Sequence, residues 1–208
     1  EDTIFRIYSM TKPVTSVAIM TLYERGLFSL DDPVHRYIPA WKNLGDYRAG
    51  SFPLFQTVPC HRAMTIRDLL MHTSGLTYDF MHASNVDHAY RKLKVGLPRE
   101  DYTLQDMIDQ LAQLPLEFVP GERWNYSVST DVLGYLVEVL SGQSLPEYLQ
   151  ETLFDPLGMV DTAFEISPDK VSRFASCYER NFNKEIVLSD DGQVSKYREV
   201  SFHSGGGG

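Results

Sequence analysis

Phe5-Arg6-Ile7-Tyr8-Ser9-Met10-Thr11-Lys12-Pro13 decides how this chain is read, because the residues after it carry a clear helical pattern. Val14, Val17, Ala18, Thr21 and Leu22 recur at three- and four-residue steps, which predicts a helix over residues 9–25 with Gly26 as its stop. Pro13 falls in the first turn, where a missing N–H does least harm. Ser9 and Lys12 are then neighbours on one face, so hydroxyl and ammonium can meet. The positive end of the helix favours an anion on Ser9. A serine becomes a nucleophile only beside a base, and a lysine serves when burial or another cation lowers its pKa. The spacing by itself describes an N-cap followed by a solvated lysine equally well. Ser167-Pro168-Asp169-Lys170 repeats it, and there we read a helix cap with proline beside it and nothing more.

Outward from this helix, the chain is mainly helical. A looser stretch over residues 30–60, rich in Pro, Gly and aromatics, holds a short helix start at 34–38. Thr65-Ile66-Arg67-Asp68 resembles a capping box with Asp in the third place, and its helix breaks at Thr73-Ser74-Gly75. Residues 77–100 are weakly patterned and read as loop with one helical stretch. Thr103 caps a helix whose Met107, Ile108, Leu111 and Leu114 share a face until Pro115. After the Pro120-Gly121 turn, Ser129 begins another, with Val132, Leu133, Leu136, Val137 and Leu140 in a stripe ending at Gly142. A further helix is expected over residues 145–153. Near the end the pattern becomes strand-like: residues 185–188 and 194–197 flank Asp190-Asp191-Gly192, a hairpin signal.

Composition narrows the function classes. The 208 residues are 43% hydrophobic and 23% charged, which excludes a disordered, collagen-like or coiled-coil chain. No apolar run is long enough to span a membrane as a helix. Nineteen Lys and Arg against 28 Asp and Glu give a net charge of −9, a poor match to nucleic acid, which selects clustered cations. Cys60 and Cys177 make neither a disulfide framework nor a zinc set, and the six histidines are scattered. We expect no metal and no cofactor. The start at Glu1, without Met, and the terminal run Gly205-Gly206-Gly207-Gly208 lead us to expect a piece of a larger protein.

Tyr126, in Glu122-Arg123-Trp124-Asn125-Tyr126-Ser127, sits on a loop between a Pro-Gly turn and a helix, where a phenol near a lysine can act as a base. A packed core phenol is the alternative. Here four blocks in order carry a resemblance. The stretch from Phe5 to Pro13 resembles the active-site helix start of the serine β-lactamase and penicillin-binding-protein superfamily. TIRDLLMHTSGL from Thr65 to Leu76 is similar to the helix and loop of class C-like members. Pro120-Gly121 through Tyr126-Ser127 resembles the second motif, and LFDPLGMVDT from Leu153 to Thr162 the end of the helical region.

The resemblance implies an α+β, β-lactamase/transpeptidase-like fold. Residues 1–28 would be the active-site helix region, 29–166 a mainly helical domain with cap-like loops, and 167–208 the start of the return to the α/β part. The family's N-terminal strands and its third, sheet-borne motif would lie outside this chain. Ser9 would be the acylated nucleophile, Lys12 its proton-handling partner and Tyr126 the base. The Ser9 N–H would form half of an oxyanion hole, and His72-Thr73-Ser74-Gly75 a structural loop beneath the site. Val128 departs from the pattern, because β-lactamases and peptidases usually carry an Asn there to bind the substrate amide. Tyr-Ser followed by another residue is similar to family VIII carboxylesterases and related acyltransferases. His203-Ser204 and the glycines resemble the Gly-rich turn late in those sequences, a reading preferred over an added linker or a phosphate loop. A serine carboxylesterase acting on short-chain esters ranks first, ahead of a β-lactamase or D,D-peptidase. A non-catalytic binding or scaffold module is the third reading. The aromatics within residues 37–55 and 78–90 either line an apolar substrate pocket or pack the cap loops.

Overall fold

Helices packed around one central helix form the core of the computed structural model, which describes residues 2–99 and 101–207. The helices are α1 (Thr11–Glu24), α2 (Ile66–Met71), α3 (Asn85–Leu93), α4 (Leu104–Leu111), α5 (Ser129–Ser141) and α6 (Leu145–Leu149), the last running on as a π turn at Gln150–Phe154. Two antiparallel hairpins complete the chain: β1 (Gly45–Ser51) with β2 (Leu54–Pro59), and β3 (Cys177–Arg180) with β4 (Ile186–Asp190).

Four helices begin with the same device. The hydroxyls of Thr65, Ser84, Thr103 and Ser144 accept from the main chain three residues on, and Asp68, Asp87, Asp106 and Glu147 reach back to the cap N–H. Each reciprocal pair satisfies donors that a helix start leaves unpaired. The boxes at Thr65 and Thr103 agree with the sequence reading. The one at Ser84 starts α3, the helical stretch expected within residues 77–100.

The core lies around α5, whose Val132, Leu133, Leu136 and Val137 are fully buried. α1 contributes Ala18, Ile19 and Leu22, α2 Ile66 and Leu69, α4 Met107, Ile108 and Leu111, and α6 Leu145 and Leu149. Each large apolar side chain taken from water this way contributes about 1.5–3 kcal/mol. Along α1 the buried line is Thr11, Thr15, Ala18, Ile19 and Leu22. Val17, counted in the expected stripe, is instead 50% exposed, on the side of the helix that also leaves Met10 70% exposed. α1 is apolar on both sides, so periodicity alone picks its inward face poorly.

The C-terminal hairpin is not the expected one. Cys177 pairs with Asp190 and Arg180 with Ile186, so residues 186–188 belong to the second strand and the turn runs from Asn181 to Glu185. Lys196–Arg198 is a 3-10 turn begun by Ser195, whose hydroxyl accepts from the Tyr197 N–H at 3.1 Å. The acids of the Asp190-Asp191-Gly192 signal have other partners. Asp190 is held by Arg6 and by the Ser195 hydroxyl, the latter at 2.6 Å. Asp191 accepts from the Gln193 N–H at 3.0 Å, closing a local Asx turn instead of a two-residue hairpin loop.

The same region clasps the start of the chain. Ile4 bridges in parallel to Phe174, with main-chain bonds of 2.9 Å to Arg173 and Ala175. The Arg6 guanidinium lies 4.0 Å from the Phe174 ring centre. These contacts fix the main chain at Ile4, five residues ahead of Ser9, and the side chain of Arg6.

Candidate active site

Ser9 sits in a 3-10 turn, Tyr8–Met10, that leads into α1. Tyr8 immediately before it has φ +43°, a left-handed conformation that a side chain other than glycine adopts at a cost of order 1–3 kcal/mol. Neither the turn nor α1 has a side-chain cap, so the Ser9 hydroxyl is not used as one. It is exposed and shares a 2.7 Å hydrogen bond with the Tyr126 hydroxyl. Lys12 Nζ donates to the same oxygen at 3.2 Å. The structure thus brings Ser9, Lys12 and Tyr126 together across 117 residues of chain. The repeated spacing at Ser167 behaves differently: Lys170 turns to Asp161 at 3.1 Å, and the Ser167 hydroxyl does not cap the turn that follows it.

Tyr126 is delivered by a loop strapped to the segment after α2. Gly121 N–H donates to the Thr73 carbonyl at 2.7 Å, Asn125 N–H to His72 at 2.9 Å, and Val128 N–H to Thr77 at 3.2 Å. The Asn125 side chain adds a 2.9 Å bond to the Leu76 carbonyl. Residues 72–75 therefore hold the loop that carries Tyr126. His72 also bonds the Ser127 hydroxyl at 3.2 Å, and its ring lies 5.2 Å from that of Tyr126. Burial, then the Lys12 charge, pushes the His72 pKa down, so it is neutral near pH 7.

The Tyr126 hydroxyl is the electrostatic focus. Burial opposes its ionisation, but hydrogen bonds from Lys12 and Ser9, together with the Lys12 charge 4.6 Å from the ring centre, outweigh that and hold its pKa below the ordinary phenol value. In its ionised form a phenol so placed is within hydrogen-bond reach of the Ser9 proton.

Gly205 and Gly206 are part of this site. Lys12 donates to the Gly206 carbonyl, and Thr15 on α1 donates to that of Gly205 at 2.8 Å. Gly205 lies between α1 and α5, where an added Cβ would sit 2.7 Å from the Thr130 carbonyl oxygen. Glycine is required there by close approach. Asp131, in the first turn of α5, accepts from the Gly206 N–H at 3.1 Å and from the Ser204 hydroxyl. The sequence reading missed Asp131. An acid in a first turn is ordinary, and only the return of the chain at residues 204–206 gives it partners.

A cavity of about 220 Å³ opens beside Ser9 and Tyr126. Tyr78, Phe80, Leu97, Val128, Phe164 and Phe202 supply most of its apolar wall. Of the aromatics singled out in the sequence, Tyr78 and Phe80 line it, while Tyr90 is buried in the core and Trp41 lines a separate cavity of about 520 Å³ remote from Ser9.

Comparison with known proteins agrees with this geometry. The sequence model of the Beta-lactamase family matches residues 1–208. The chain is 40% identical over 177 residues to Protein Rv1367c of Mycobacterium tuberculosis, covering 85% of this chain and 43% of that protein. It is 35% identical over 195 residues to Esterase EstB of Burkholderia gladioli, covering 93% and 46%. Among solved structures, EstCE1, described as a hydrolase with promiscuous acyltransferase activity, superposes with a TM-score of 0.78 at 27% identity, over 99% of this chain and 55% of that one. The chain spans about half the length of the curated relatives it matches.

Proposed function

Because the chain belongs to the beta-lactamase family, we propose that it carries the nucleophilic half of a serine carboxylesterase of the family VIII type, cleaving short-chain esters through an acyl-enzyme. The observation that carries this reading is the Ser9 hydroxyl placed 2.7 Å from Tyr126 and 3.2 Å from Lys12, at the mouth of an apolar cavity. Tyr126 takes the Ser9 proton as Oγ attacks the ester carbonyl carbon. The carbonyl oxygen becomes an oxyanion, and the Ser9 N–H is one of the donors it needs. The proton then passes to the departing alkoxide, which leaves as the alcohol, and Ser9 carries the acyl group. A water molecule, deprotonated by the same phenolate, repeats the attack and releases the acid.

Val128 favours an ester over an amide, since a buried valine offers no partner to a substrate N–H and an ester has none to satisfy. The relatives named as an esterase and as a hydrolase support the class. The small size of the cavity, about 220 Å³, favours a short acyl group.

A series of nitrophenyl esters tests this. The kcat/KM should peak at short acyl chains and fall about tenfold or more by about ten carbons, one excess methylene in a hydrophobic pocket being worth about 1–3 kcal/mol. A chromogenic cephalosporin should turn over more slowly than the best ester. The reverse order would replace this reading with a β-lactamase or D,D-peptidase.

A further inference from the structure

Among the described residues, Asp131 is the acid whose fully buried carboxylate faces the candidate catalytic groups, and the mechanism above does not use it. Its surroundings are specific. From the glycine segment, the Ser204 hydroxyl and the Gly206 N–H donate to it. From the segment after α2, the Tyr78 hydroxyl faces it. From α1 comes the Lys12 charge, and from the loop before α5 the Tyr126 phenol. The carboxylate also stands in the first turn of α5, where the helix dipole favours an anion.

The link to Lys12 is a single peptide residue. Gly206 gives its N–H to Asp131 and its carbonyl to Lys12. Moving the carboxylate would move that carbonyl, and with it one of the acceptors that aims the ammonium at Ser9. The approach is too close for any side chain: a Cβ on Gly206 would lie 2.5 Å from Asp131 Oδ2 and 2.9 Å from the Tyr78 hydroxyl. Burying a charge in this way is unfavourable unless its donors and countercharge are held in place. Here they are held on both sides.

Resting on the esterase reading above, we propose that Asp131 is a positioning residue for the reaction. It clamps Gly206 so that the carbonyl holds Lys12 against Ser9, and as a carboxylate it keeps the Tyr126 oxygen basic. The groups facing Tyr126 are Ser9 from the turn before α1, Lys12 from α1, His72 and Tyr78 from the end of α2 and its following segment, and Asp131 from α5. Of these Asp131 is the negative one, so removing its charge should let Tyr126 ionise at lower pH.

The test is Asp131→Asn in the intact protein. It is read by ester kinetics against pH and by NMR titration of carbon-13-labelled tyrosine, which reports Tyr126 whether or not esters are turned over. Expected are a fall in kcat of about tenfold or more with KM within about threefold, an acidic limb moved to lower pH, and Tyr126 ionising earlier. Gly206→Ala, which displaces the carboxylate without neutralising it, should also lower kcat with KM held. It supplies the test if the Asn variant does not fold. A kcat within twofold of the parent in either variant overturns the proposal. So does a loss that merely follows the folded fraction, with the acidic limb and the Tyr126 titration unmoved. A parent protein inert to esters would instead overturn the esterase reading, and the Tyr126 titration would still decide the charge coupling.

Discussion

Replacing Ser9 by alanine should lower kcat/KM for a short nitrophenyl ester by about 10⁴-fold or more, with the fold unchanged. The hydroxyl is exposed, caps neither the 3-10 turn nor α1, and has Tyr126 and Lys12 as its side-chain partners. Its removal therefore disturbs the chemistry and little else. Substrate still enters the cavity formed by Tyr78, Phe80 and Val128, and any residual rate comes from water attack near the remaining oxyanion donors. Thermal unfolding within a few degrees of the parent, together with the kinetic loss, is the expected pair of results. Ser9→Ala with near-parental turnover would remove Ser9 from the mechanism.

Tyr126→Phe should cost about 10²–10⁴-fold in kcat/KM and flatten the acidic side of the pH profile. The ring survives this change. It remains packed against His72 at 5.2 Å and Tyr78 at 5.1 Å, so the variant isolates the hydroxyl. The sign of the pH effect follows from the electrostatics. Burial alone would raise the Tyr126 pKa, but Lys12 and Ser9 pull it below that of a free phenol. In the parent the rate should rise with pH as Tyr126 loses its proton, along a limb centred below the ordinary phenol value. Without the hydroxyl there is no such group, and the remaining rate should be nearly independent of pH over that span. Stopped-flow or steady-state kinetics between pH 5 and 10 would check it, the range being an experimental choice of about five decades of proton concentration. An unchanged limb in the Phe variant would assign the base role elsewhere.

Much of the helical body was legible because its signals are local. Thr65 and Thr103 announce their helices through boxes with Asp68 and Asp106, and the stripes on α4 and α5 are the faces the structure buries. What failed to read was set at long range. β1 and β2 are largely exposed, so they show no alternation, and nothing in residues 30–60 marks them as strands. The Asp190-Asp191-Gly192 turn signal lost to partners 15 and 184 residues away, Ser176 and Arg6. α1 misled in a different way, since apolar residues on both sides let Val17 pass as core.

The candidate site shows the same division. Ser9 and Lys12 are three residues apart on a helix start, and Tyr126 follows a turn on a loop, so each has a local sign. Asp131 has none. It looks like any acid in a first turn until Ser204 and Gly206 fold back over it. The glycine run was equally ambiguous, and its packing against Thr15 and Thr130 gives it a place in the site.

The most direct test of the account is covalent labelling of the protein with a fluorophosphonate, read by intact mass and peptide mapping. The account predicts one adduct, on Ser9, absent in Ser9→Ala and strongly slowed in Lys12→Ala and Tyr126→Phe, because only an activated serine reacts readily with such a probe. No adduct on the folded protein, or an adduct on another residue with Ser9 untouched, would contradict it.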